Sequence, residues 1–89
     1  MIVKVDKSFE RDVKKITDKK VRSKIADCIE ELQKAEKYQE IKGLKKIKSS
    51  GNLYRIRIGQ YRIGIIIIKN KLELIRCLHR KNIYKYFPK

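Results

Sequence analysis

Acidic residues are scarce: 10 Asp+Glu stand against 25 Lys+Arg in 89 residues, a formal net charge of +15. The strand-forming half of the chain holds a single carboxylate, Glu73, so the paired carboxylates of two-metal cleavage are missing, and neither a metal nor any other cofactor is expected. Cysteine is limited to Cys28 and Cys77, without a CxxC pair, which speaks against a disulfide framework or a zinc site and makes reduced thiols in a cytoplasm the default. Tryptophan is absent, and the one proline, Pro88, marks the tail. The longest apolar run, Ile63 to Ile68 with Gly64 inside it, falls far short of the ~20 residues of a spanning helix. The N-terminus lacks the basic start, apolar run and small-residue cleavage site of a secretory signal.

What is present is a basic, folded composition. Apolar residues make up 42% of the chain, too many for a disordered basic tail despite 39% charged residues. A single domain spanning 1–89 is expected, burying about 60–65% of the surface that its unfolded form exposes, so the core is thin. A pI near 10 attracts polyanions, nucleic acid foremost. An acidic protein fits the charge equally well. An anionic membrane fits less well, because the lysines are spread along the chain instead of clustering beside one apolar anchor.

Ile2 to Val5 read as a short strand ending at Asp6. Ser8 offers a helix N-cap, and Phe9, Val13 and Ile16 at i, i+4 and i+7 form one apolar stripe. Asp18 is the next cap, ahead of Val21, Ile25, Cys28, Ile29 and Leu32, whose spacing predicts a second helix to about Tyr38. After Gly43 the period drops to two. Leu44 to Lys48 reads as a strand, Ser49 to Asn52 as a turn, and Leu53 to Ile58 as a clean alternation. Gly59-Gln60 allows a tight hairpin into Tyr61–Ile68, and Lys69-Asn70-Lys71 leads to a strand from Leu72 to about Leu78. The expected fold is α+β: an N-terminal strand, a two-helix hairpin, then three or four antiparallel strands with the helices packed on one face.

If Tyr54, Ile56 and Ile58 face the helices, Arg55 and Arg57 point away, and Arg62 joins them from the neighbouring strand. Three guanidiniums on one open sheet face suit bidentate phosphate binding. Solvated strand residues are the plain alternative; three in register in a protein this basic favour phosphate. The segment His79-Arg80-Lys81-Asn82-Ile83-Tyr84 supplies the only histidine beside arginine and tyrosine. These groups can activate a ribose 2′-hydroxyl and stabilise a pentavalent phosphate without metal. Histidines and terminal aromatics are also common as plain packing.

The succession Tyr54-Arg-Ile-Arg-Ile-Gly-Gln-Tyr-Arg-Ile63 followed by Leu78-His-Arg-Lys-Asn-Ile-Tyr84 resembles the RelE/ParE toxin superfamily of type II toxin-antitoxin systems, over nearly the whole chain. The resemblance implies a small toxin. In the RelE branch such a toxin cleaves messenger RNA in the ribosomal A site by 2′-hydroxyl attack; in the ParE branch it poisons DNA gyrase. An antitoxin segment wraps either kind. Carried over by position, Arg55 and Arg57 face the scissile phosphate and Arg62 stabilises the transition state; Lys46 and Lys48 are further candidates for RNA-phosphate binding. Arg80 and Tyr84 fall near the family's C-terminal arginine and tyrosine. Where the best-studied branch has a lysine as candidate base, this chain has Arg55, a guanidinium that cannot accept a proton at neutral pH. His79, or Tyr84 lowered by surrounding cations, is then the expected base. The resulting expectation is a cytoplasmic, metal-free mRNA endonuclease with an acidic cognate antitoxin, no small-molecule cofactor and no membrane association. A gyrase inhibitor without nuclease activity and a degenerate toxin that only binds its antitoxin are the alternatives.

Overall fold

Asp6 ends the first strand and starts the first helix, and its carboxylate accepts a bond from the Ser8 amide at 3.1 Å. Asp6 is therefore the N-cap, one position that sequence spacing assigned to Ser8. Ser8 instead bridges the cap to the sheet: its Oγ lies 2.5 Å from both the Asp6 carboxylate and the Ile75 carbonyl on the last strand. The Ser8 hydroxyl and amide hold the Asp6 carboxyl below the ordinary carboxylate range. That capping contribution is complete above about pH 4 and is lost as pH falls through the lowered value.

The computed structural model describes residues 1–47 and 51–88. Lys48, Ser49 and Ser50, which carry the end of a predicted strand and the first half of a predicted turn, lie outside the described residues. The elements are β1 (Ile2–Val5), α1 (Lys7–Lys14), α2 (Lys19–Lys34), a 3-10 turn (Tyr38–Glu40), β2 (Leu44–Lys46), β3 (Leu53–Ile58), β4 (Tyr61–Ile68), β5 (Lys71–His79) and α3 (Ile83–Tyr86). Their sheet order is β1-β5-β4-β3-β2, with β1 parallel to β5 and the other pairs antiparallel. The expected α+β architecture is present. Asp18 caps α2 as its spacing indicates, accepting from the amides of Lys20 and Val21. The second helix stops at Lys34 instead of reaching Tyr38, because its last buried apolar residue is Leu32 and Ala35 is already extended. Tyr38 turns back to pack on Tyr54, their ring centroids 5.6 Å apart.

The core lies between the helical hairpin and one face of the sheet. Ile56, Ile58, Ile63, Ile65, Ile67, Leu72 and Leu74 meet Phe9, Ile16, Ile25 and Leu32 there. Each such side chain taken fully out of water contributes roughly 1.5–3 kcal/mol, so the alternating isoleucines fix which way every intervening residue of β3 and β4 must point.

An acidic residue also sits in this interior. β1 pairs with β5 only as far as Leu74, which leaves the rest of the β5 edge without a strand partner. α1 takes over that edge. Asp12, 6% exposed, accepts the Cys77 amide at 2.9 Å and two guanidinium bonds from Arg76, at 2.7 and 3.1 Å. A register irregularity between β4 and β5 at Gly64/Ile65 accompanies the turning of Arg76 toward this carboxylate.

Two outcomes are expected. Asp12→Ala strands the Cys77 amide and one partly exposed guanidinium, and should lower unfolding free energy by about 2–3 kcal/mol in urea titrations, below the full cost of a wholly buried pair. Burial pushes the Cys77 thiol up to about 12 and the Cys28 thiol up to about 11. At pH 8 both thiols should resist iodoacetamide in the native chain and react once it is unfolded; fast native labelling would contradict this environment.

Candidate functional site

The outer face of the sheet, turned away from α1 and α2, is built by the same alternation that builds the core. Arg57 on β3 stands directly opposite Arg62 on β4, and Arg55 stands opposite both Gly64 on β4 and Lys45 on β2. Residues in register share a face, so Lys45, Arg55, Arg57 and Arg62 project together. Lys46 is in register with Tyr54 and follows the core-facing phase of Leu44, on the other side of the strand. Lys45, and not Lys46 as expected, therefore stands beside the arginines. Anchoring the alternation on Leu44, whose partner is the buried Ile56, is the signal that identifies Lys45 from sequence. Lys48, assigned with Lys46, lies outside the described residues.

The β3–β4 hairpin aims Arg62. Gly59 takes a left-handed φ of 57°, which closes the tight turn without a side-chain clash. The Arg62 Nη1 donates to the carbonyls of Gly59 at 3.0 Å and Tyr61 at 2.9 Å, so its guanidinium is pinned over the hairpin. The Arg80 amide donates to the Gln60 carbonyl at 2.7 Å and brings the end of β5 to the same turn. Partial desolvation holds Arg62 below the ordinary arginine pKa; repulsion from Arg57, Arg55 and Arg80 acts in the same direction, and the Tyr84 phenol acts against them. Arg62 still remains a cation at neutral pH. Five sequence-predicted residues, Arg55, Arg57, Arg62, Arg80 and Tyr84, thus share one electrostatic neighbourhood.

His79 stands apart from it. It is in register with Tyr61, which follows the core-facing phase of Ile63, and the two rings meet edge to face at 5.8 Å. Its Nδ1 accepts the Lys81 amide at 3.2 Å and shapes the turn after β5. The imidazole borders a cleft of about 360 Å³ beside Asp12, Lys15 and Tyr61. The expectation that His79 shares a pocket with Arg62 is not met: β-strand parity sends position 79 to the face opposite position 62's neighbours.

The outer face is also less open than the sequence suggests. Ile83 and Phe87, 0% and 1% exposed, fasten α3 over the sheet, while Tyr84 between them is 59% exposed. A concentration of guanidiniums, walled on one side by apolar groups, is suited to a phosphodiester: bidentate donors match two phosphate oxygens, and the nearby low-dielectric wall strengthens them.

A family model described as the ParE toxin of the type II toxin-antitoxin system parDE matches residues 3–84. The protein Toxin RelE3 of Methanocaldococcus jannaschii is 43% identical over 83 residues, covering 92% of this chain and 93% of that protein. The RelB-RelE antitoxin-toxin complex of Methanococcus jannaschii contains a chain with a TM-score of 0.81 and 40% identity, covering 96% of this chain and 99% of that one. The intact Escherichia coli RelBE complex matches in fold alone, with a TM-score of 0.67 and 16% identity over 88% of this chain and 94% of that one.

Polyanion binding separates the two neighbouring lysines. In fluorescence anisotropy with a labelled single-stranded RNA, Lys45→Ala should weaken binding and reduce the log-log salt slope by about 0.7, the value for one lost phosphate contact. Lys46→Ala should leave the slope at the parental value. Equal losses for both would contradict the face assignment.

Proposed function

We propose that this chain, which belongs to the RelE/ParE superfamily of type II toxins, is a ribosome-dependent mRNA endonuclease that inhibits translation in the cytoplasm. The observation that supports this most directly is the register that sets Arg57 opposite Arg62 with Arg55 on the same face, while the Arg80 amide ties the end of β5 to the same hairpin and the buried Ile83 and Phe87 hold Tyr84 on the sheet. Arg55 and Arg57, with Lys45, bind the RNA backbone at the scissile phosphate. Tyr84, acting in its phenolate form, accepts the proton of the ribose 2′-hydroxyl on Oη as the 2′-oxygen attacks phosphorus, and the phenol so formed returns that proton to solvent. Arg62 neutralises the charge that grows on the pentavalent phosphate, and Arg80 stabilises the departing 5′-oxygen, which is protonated from water. The products are a 2′,3′-cyclic phosphate and a 5′-hydroxyl end.

An acidic cognate antitoxin is the second part of the proposal, and two surfaces suit it. One is the cationic face. The other is a groove of about 430 Å³ at the far end of the sheet, where Ile2 and Ile68 are 61% and 53% exposed beside Lys4 and Lys71. An acidic segment with aliphatic side chains complements both, and it relieves the self-repulsion of a +15 chain.

The test is cleavage of a defined message on translating ribosomes, with transcript ends mapped. Arg62→Ala and Tyr84→Phe should each slow cleavage by about 100-fold or more, whereas His79→Ala should stay near the parental rate if it folds normally. Growth arrest with intact transcripts and gyrase-linked DNA breaks would instead support the gyrase-poisoning reading.

A further inference from the structure

Gly64 lies in the middle of β4, between the fully buried Ile63 and Ile65, and is itself buried. Its backbone is ordinary strand, so conformation does not require glycine there. Space does. A Cβ built on Gly64 would lie 2.7 Å from both Cδ2 and Cγ of Phe87 and 2.9 Å from Cδ1, distances that real Cβ atoms do not tolerate. The Phe87 ring occupies the place that a side chain at position 64 would fill, in a row whose neighbours are Arg55 on β3 and Arg76 on β5.

Phe87 is also the far anchor of α3. Its amide donates to the Ile83 carbonyl at 2.8 Å, and these two buried side chains hold the one short turn that carries Tyr84. Tyr86, in the same turn, lies over the Arg76 guanidinium at 5.7 Å, and Arg76 is held in turn by Asp12. A four-residue helix has little stability of its own, so its position is set by these contacts.

We propose that Gly64 is a positioning residue: the slot left by its missing side chain seats Phe87, and this seat fixes Tyr84 relative to Arg62. The inference rests on the nuclease reading above, and it assigns to a glycine outside the cationic set the alignment of the base with the phosphate-binding arginines. Filling the slot should lift Phe87 and α3 off the sheet while leaving Arg55, Arg57 and Arg62 on the strands. RNA binding should then persist while turnover falls.

The experiment compares the full chain with Gly64→Ala, Phe87→Leu and the double variant carrying both. Binding is measured with an RNA whose attacking ribose is 2′-deoxy, cleavage on translating ribosomes, and the position of α3 by Tyr84 ring resonances and amide exchange at Phe87. Gly64→Ala should bind this RNA within about twofold of the parent, lose at least about tenfold in turnover (about 1.4 kcal/mol), and lose protection at the Phe87 amide. Phe87→Leu, whose smaller side chain makes room for the added methyl, should return much of the protection and turnover when combined with Gly64→Ala. Full turnover in Gly64→Ala despite a displaced α3, or unchanged Tyr84 resonances and exchange, would overturn the proposal. So would a double variant no better than Gly64→Ala. If the parent chain itself cuts no RNA, the nuclease reading fails; the assigned link between seat and Tyr84 is then decided by whether Arg62→Ala shifts the Tyr84 resonances in the parent but not in Gly64→Ala.

Discussion

Two like charges stand directly opposite each other on neighbouring strands, Arg57 on β3 and Arg62 on β4. Such a cross-strand pair costs stability in isolation. The chain has no freedom to avoid it, because the same register turns Ile56, Ile58, Ile63 and Ile65 into the core, and that burial outweighs the repulsion of two partly solvated guanidiniums. The strand alternation therefore concentrates positive charge on the face opposite the core. An anion placed between the two guanidiniums would convert this repulsion into attraction.

The remaining elements hold that face in shape. α1 closes the edge of β5 where β1 ends, using Ser8 and Asp12 as substitutes for a strand's hydrogen-bonding groups. Asp12 fixes Arg76, and Arg76 meets Tyr86, so the first helix is linked to the last turn through three side chains. α3 is fastened to the sheet by the buried Ile83 and Phe87, the Phe87 ring lying against Gly64 in the middle of β4. Among the described residues, the groups that act on the Arg62 charge are other arginines and the Tyr84 phenol, with no Asp or Glu among them.

Much of this was legible in the sequence, and the parts that were not share a cause. Alternation locates β1 and β3, 3.6-residue spacing locates α2, and the β-branched run and the turn at Lys69-Asn70-Lys71 locate β4 and β5. The outward phase of Arg55, Arg57 and Arg62 follows from the alternation directly. Lys46 and His79 were placed on the wrong side for a shared site because each was assigned by resemblance or proximity in sequence, whereas strand parity, anchored on Leu44 and on Tyr61, sends each to the core-facing phase. Asp12 falls three residues after Phe9 on the apolar stripe of α1, a carboxylate where a hydrophobic residue is expected; its partner, more than sixty residues away, carries no local signal. Gly64 interrupts a run of isoleucines visibly, but the ring that needs the space comes from the far end of the chain.

The central claim is that the outer-face arginines act as one phosphate site. It is tested most directly by following the guanidinium resonances of the intact chain during titration with a short RNA carrying a 2′-O-methyl block at the attacking ribose. The account predicts that Arg55, Arg57, Arg62 and Arg80 shift together along a single saturation curve, with the Tyr84 ring, while His79 and Lys46 stay unchanged. Unsaturated shifts spread over the helix lysines, with these arginines silent, would contradict it.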